Sequence, residues 1–229
     1  MEQTSLNLVA IAVFVMTLSA LLSPALNISP FIPAGTTLGI LTLATLDSVS
    51  WGGRGLTIFL DLFATPQQRQ RVIHHEAGHF LAAYCLGIPI TSYTLSAWEA
   101  FKQGQPGLGG VQFDLTLLSD TKTIQKTPLI IERTLTVLMA GIAAEMMIYD
   151  NVEGGEEDKK NLRAIMRIMG ISNSLYQQKE SWALLQAKNL IIRNQTAYDA
   201  LIEMMEKRAS VEACQSLIQE KINQIEVMT

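Results

Sequence analysis

The 229-residue chain has three histidines, and all of them fall within six positions: His74, His75 and His79. His75 and His79 are four residues apart, so on a helix their imidazoles share one face about one turn apart. Two ring nitrogens presented this way can bind a zinc ion at roughly 2.0–2.1 Å. Glu76 lies about 100° round the helix from His75, beside the cation rather than on it. From there a carboxylate can take a proton from a water on the metal, which is the chemistry of hydrolysis. His74 points about 100° away from His75 and is expected at the surface or behind the ligands. Gly78 adds no side chain and leaves room for a second backbone to pack closely.

His75-Glu76-Ala77-Gly78-His79 is the HExxH arrangement of zinc-dependent peptidases. A catalytic zinc usually takes a third protein ligand and keeps one position open. No histidine remains for that role, so it falls to a carboxylate or, second in order, a cysteine. The candidates are Glu145, Asp150, Glu153, Glu156, Glu157 and Asp158. Spacing does not choose among them.

These groups need a scaffold. From Gln67 to Leu86 the apolar residues Val72, Ile73, Ala77, Phe80, Leu81 and Tyr84 recur at helical intervals, and Gly87 with Pro89 ends the run. Residues 90–114 read as extended structure around a turn cluster at 104–110, predicting a small β-hairpin at about 91–114. The extended stretch from Tyr93 to Trp98 is a candidate to pair with a substrate strand or a plain structural hairpin. Thr127 to Tyr149 predicts a second long helix, buried rather than spanning because Glu132, Arg133 and Glu145 interrupt it. An acidic, glycine-containing turn follows, and from Asp158 onward three or four more helices are expected.

The N-terminal region is different in kind. No charged residue occurs from Gln3 to Leu46. Leu6–Leu22 is about long enough to cross a hydrocarbon core as a helix, and Phe31–Leu46 is a shorter, threonine-rich second run after breaks at Pro24 and Pro30. Residues 1–50 are therefore expected to be a membrane anchor of one or two helices, with 51–66 a linker and 67–229 the catalytic domain. Glu2 and the lack of Lys or Arg in the first five residues argue against a cleaved signal peptide. Lys and Arg begin at Arg54, which puts the following chain on the cytoplasmic side or its organellar equivalent.

A net charge of −4 gives no reason to expect a nucleic-acid partner. No GxxxxGK[ST] pattern occurs, so nothing predicts ATP hydrolysis. Cys85 and Cys214 are far apart and lack CxxC spacing, which argues against a disulfide framework or a cysteine zinc site.

HHEAGHFLAAYCLGIPI resembles the metal helix of the FtsH-type zinc peptidases, which reads HEAGHA followed by a small-apolar helix. LMAGIAAEMMIYDNVEGGEEDKKNL is similar to that family's LxGRxAEExxFG…TTGAxxDL segment. The resemblance covers roughly residues 65–225 and implies a mainly α fold. Aligned on Ala143-Ala144-Glu145, the family's third zinc ligand falls on Asp158 with a one-residue gap, and Glu157 and Asn161 lie close by. Ile142 replaces the family's Arg, Met146 its second Glu, and EGGE its TTGA turn. The family's ATPase module has no counterpart here, so the likeness is to the small FtsH-like proteins of cyanobacteria and chloroplasts.

The resemblance implies zinc held by His75, His79 and Asp158. Glu76 would be general base and then acid, and Glu145 would orient a ligand histidine. The substrates would be flexible or unfolded protein segments. It also implies membrane lipid and an FtsH-type ATPase or a second copy as partners, at a plasma- or thylakoid-type membrane with the site on the cytoplasmic or stromal face. The rival expectation is a zinc-binding chaperone or accessory subunit that does not cut.

Overall fold

The computed structural model describes residues 2–23, 29, 31–51, 54–104, 109–114 and 128–228. It is mainly helical with one small sheet, and its contacts divide it into two units, Met1–Phe59 and Leu60–Thr229. The expected breaks at Pro24 and Pro30, the linker pair Gly52-Gly53, residues 105–108 of the hairpin turn and Thr127 lie outside the described residues.

In the first unit the charge-free stretch forms α1 (Glu2–Leu22) and α2 (Phe31–Trp51). A short helix, α3 (Arg54–Asp61), runs across the division between the units. Large apolar side chains stand exposed along both long helices, among them Ile11, Phe14, Leu18, Leu21, Leu38, Leu43 and Val49. The hydroxyls turn back on their own helices: Thr17 donates to the Val13 carbonyl, Ser19 to Val15, Thr36 to Ile32, Thr42 to Leu38 and Thr45 to Leu41, at 2.6–2.8 Å. This local bond satisfies a hydroxyl without water.

Sequence reading expected one or two membrane-crossing helices here. Among the described residues, no helix is long and apolar enough to cross a membrane, so the expected span is unsupported.

The second unit starts from a reciprocal cap. Thr65 accepts from the Gln68 N–H at 3.2 Å, and the Gln68 side chain accepts from the Thr65 N–H at 2.8 Å. Pro66 follows at the first helical position, where its missing N–H is harmless. Helix α4 then runs Pro66–Leu86 and stops at Gly87, whose φ of 70° suits glycine. Strand β1 (Ile90–Thr94) pairs antiparallel with β2 (Gly110–Phe113), with α5 (Ala97–Lys102) between them. The register sets Tyr93 against Val111 and shifts once, between Ile90 and Ser92.

The remaining helices are α6 (Pro128–Tyr149), α7 (Glu156–Ile168), α8 (Tyr176–Arg193), α9 (Gln195–Glu206) and α10 (Val211–Met228), with a 3-10 turn at Asn173–Leu175. Helix α6 is buried on two sides. One face joins α4, α9 and α10 in a core that includes Phe80, Leu81, Ala140, Ala144, Tyr198 and Leu201. The other packs Leu135, Met139 and Ile142 against Leu162, Met166 and Ala183. Burial on both sides accounts for its nearly uninterrupted apolar sequence. Cys85 and Cys214 are free thiols.

Candidate metal centre

Helices α4 and α6 meet at small residues. A Cβ on Gly78 would stand 2.5 Å from the Ala140 carbonyl oxygen and 2.9 Å from the Ala144 Cβ, so only glycine permits this approach. The close crossing brings His75, Glu76 and His79 against α6 and buries all three.

The imidazoles are oriented from behind. His79 Nδ1 lies 2.7 Å from the Val137 carbonyl oxygen, which can only accept, so Nδ1 donates. His75 Nδ1 lies 2.7 Å from Glu145 Oε1. Burial works against ionising Glu145, but His75, the Glu153 N–H and Arg71 outweigh it and lower its pKa, so it too accepts. The two Nε2 atoms, each with its lone pair in the neutral ring, are therefore aimed forward.

They converge with a third acceptor. His75 Nε2 is 3.0 Å from Asp158 Oδ2, His79 Nε2 is 3.4 Å from the same oxygen, and the two Nε2 atoms are 3.1 Å apart. Asp158 stands in the first turn of α7, where the helix N-terminus favours a carboxylate. Burial opposes its ionisation, yet His79 and His75 hold it well below the usual range. Three unprotonated acceptors this close repel unless a cation or protons lie among them. A tetrahedral zinc site with bonds of about 2.0–2.1 Å spaces its ligand atoms about 3.3 Å apart, close to this triangle.

Gly141 supplies an independent test of fit. A Cβ there would fall 2.4 Å from His75 Nε2 and 2.5 Å from His79 Nε2. The chain has no side chain at the point where the donors meet. The group formed by His75, His79 and Asp158 can therefore hold a metal ion.

Protons compete with a cation for these atoms. Burial disfavours a charged His75, but its hydrogen bonds to Asp158 and Glu145 prevail and push it up to about 10. His79 is raised as well, because Asp158 outweighs the cost of burial. Burial raises the Glu76 carboxyl above its ordinary value despite the two histidines. Glu76 Oε2 accepts from the Val111 N–H at 3.0 Å, which ties the carboxylate to strand β2.

Of the six carboxylates considered for the third ligand, the structure brings Asp158 to both Nε2 atoms. Glu145 lies on the far side of the His75 ring, bonded to Nδ1. Glu153 reaches Arg71, Glu157 pairs with Lys160, and Asp150 and Glu156 are exposed, as is Asn161. His74 is turned away: its Nδ1 meets the Tyr149 hydroxyl at 2.8 Å and its ring stacks on Tyr149.

Sequence reasoning passed over four features of this site: Gly141, the Val137 carbonyl, the Val111 N–H and Arg71. A lone glycine inside the apolar pattern of α6 was the available signal for the first. Arg71 lies one turn before His75 on the same helical face, which was the signal for the last. No protein-family model and no curated protein matches this chain.

Proposed function

We propose that the chain is a zinc metallopeptidase, held at a membrane by its N-terminal unit, that cuts flexible or unfolded protein segments without ATP. The observation that carries this reading is the convergence of three oriented acceptors beside a buried glutamate. A purely structural zinc site is usually closed by four protein ligands and has no use for an adjacent base.

When bound, zinc would lower the pKa of a water and polarise a scissile carbonyl. His75, His79 and Asp158 would hold it. Glu145 and the Val137 carbonyl keep both imidazoles in the tautomer that presents Nε2. Glu76 takes the proton of the attacking water and passes it to the leaving amine. Its raised pKa suits both halves of that task better than an ordinary carboxylate would. The Val111 N–H keeps the carboxylate from swinging away. No GxxxxGK[ST] pattern is present in this chain to drive unfolding, so the substrate is already flexible or is opened by a partner.

Membrane attachment is supported by the outward apolar side chains of α1 and α2 and by their back-bonded hydroxyls. A site on the cytoplasmic or stromal side is supported by the first Lys or Arg being Arg54, and a plasma- or thylakoid-type membrane by the family resemblance.

The test uses full-length protein, an unfolded reporter protein and metal analysis. Near-stoichiometric zinc should vanish in His75→Ala and His79→Ala. Glu76→Gln should keep the zinc and lose about 100-fold or more in cleavage rate. Zinc binding without cleavage in the wild type would replace this reading with the non-cutting accessory protein.

A further inference from the structure

We infer that Arg71 is a positioning residue: it clamps the turn between α6 and α7 to the histidine helix and so sets Asp158 in place for the metal. The inference rests on the metal site proposed above.

That turn is six residues long, Asp150 to Gly155, and leads directly into the first turn of α7. Asp150 has φ 55° and Gly155 φ 85°, both in the left-handed region. The second is a glycine, and aspartate is among the few other residues that adopt this region readily. The turn wraps a carboxylate. Glu145, 1% exposed, accepts from the Glu153 N–H at 2.9 Å and the Gly154 N–H at 3.2 Å while it holds His75. One buried anion thus sets both a ligand imidazole and the path of the chain toward the third ligand.

Arg71 closes this arrangement from the other side. Its Nη1 lies 2.8 Å from Glu153 Oε1 and 3.6 Å from Glu145 Oε2. Its Nη2 donates to the Asn151 side-chain oxygen, and its guanidinium carbon sits 4.4 Å over the Tyr149 ring. One nearly buried side chain therefore hydrogen-bonds Asn151, stacks on Tyr149 and stands as a close cation beside Glu153 and Glu145, although its Nη1 makes no hydrogen bond. Arginine suits the position because a planar fork can stack and donate at once, which an ammonium cannot. Without it, Glu145 keeps its imidazole but loses its nearby cation, and Asn151 and Glu153 lose their anchor. Asp158, three residues beyond the turn, is then free to drift from the two Nε2 atoms.

The test loads full-length wild type, Arg71→Gln and Asp158→Asn with cobalt(II), reading affinity by chelator competition and coordination by visible absorption. We expect Arg71→Gln to bind about 10- to 100-fold more weakly and its band to move toward the Asp158→Asn spectrum. A folded Arg71→Gln with wild-type affinity overturns the inference. So does one that binds weakly but shows the wild-type band at saturation, because the ligand set would then be intact. If Arg71→Gln does not fold, Glu153→Gln cuts the clamp from its exposed end and is read the same way, with a smaller loss expected. Wild type that takes up no cobalt removes the metal reading together with this inference, whereas an unaltered Arg71→Gln removes the inference alone.

Discussion

The two units place their side chains in opposite ways. In Met1–Phe59, leucine, isoleucine and phenylalanine face outward. In Leu60–Thr229, such residues are the interior, yet His75, Glu76, His79 and Glu145 are buried with them. Each region holds chemical groups against the environment that suits them, and each arrangement makes sense with something added. Exposed apolar side chains along two helices suit a membrane or a protein partner, and the converging His75, His79 and Asp158 can hold a cation. The same hydroxyl device appears in both: Thr134 and Thr136 of the buried α6 bond back to the Ile130 and Glu132 carbonyls, as the threonines of α1 and α2 do.

The comparison breaks most sharply at Gly141. Gly141→Ala pushes a methyl between the two Nε2 atoms, so metal affinity should fall by about 100-fold or more. Overpacking should also cost about 1–3 kcal/mol of stability. Calorimetric metal titration and denaturant unfolding check both, and undiminished binding would show that the cation does not sit where the donors meet.

In the outer region, Phe14→Lys sets a charge among exposed apolar neighbours. If lipid surrounds α1, the partition into vesicles should weaken by about 2.5–3.5 kcal/mol, roughly 100-fold. Vesicle flotation measures this, and unchanged flotation argues for a protein partner on that surface instead.

A third expected effect is one of pH on protein stripped of metal. His75 has a folded pKa of about 10 against an ordinary 6.5, so its protonated form stabilises the fold. That contribution is complete below pH 6.5 and disappears as pH rises through about 10. The melting temperature of chelator-treated protein should therefore fall across this window. Metal-loaded protein should not follow it, because the same protons leave on binding.

Some of this was legible in the residues themselves. His75 and His79 declare themselves because a four-residue spacing has one meaning on a helix, and Gly87 ends that helix as glycine does. Asp158 is different: six carboxylates between Glu145 and Asp158 looked alike, and only likeness to a known segment favoured one. What separates them is the path of the 150–155 turn, which depends on Glu145 and Arg71 and so on contacts across 74 positions of chain. Gly141 was hidden because α6 is buried on two sides, so its apolar pattern does not reveal which side faces α4. The Val137 carbonyl and Val111 N–H could not be read at all, since every residue but proline carries the same backbone groups. The expected membrane span is unsupported among the described residues, where no helix is long and apolar enough to cross a membrane.

The distribution of the donors along the chain has a consequence for how the site is assembled. Two of the three belong to α4 and are in register as soon as that helix winds, while the third waits on α7, eighty residues later. A cation caught by the half-built pair would recruit Asp158 and draw the last helices onto the first, so that loading completes folding rather than following it. Newly made chains deprived of metal should pass more slowly through a form with α4 wound and the turn before α7 still open, which proteases would cut between Tyr149 and Glu156.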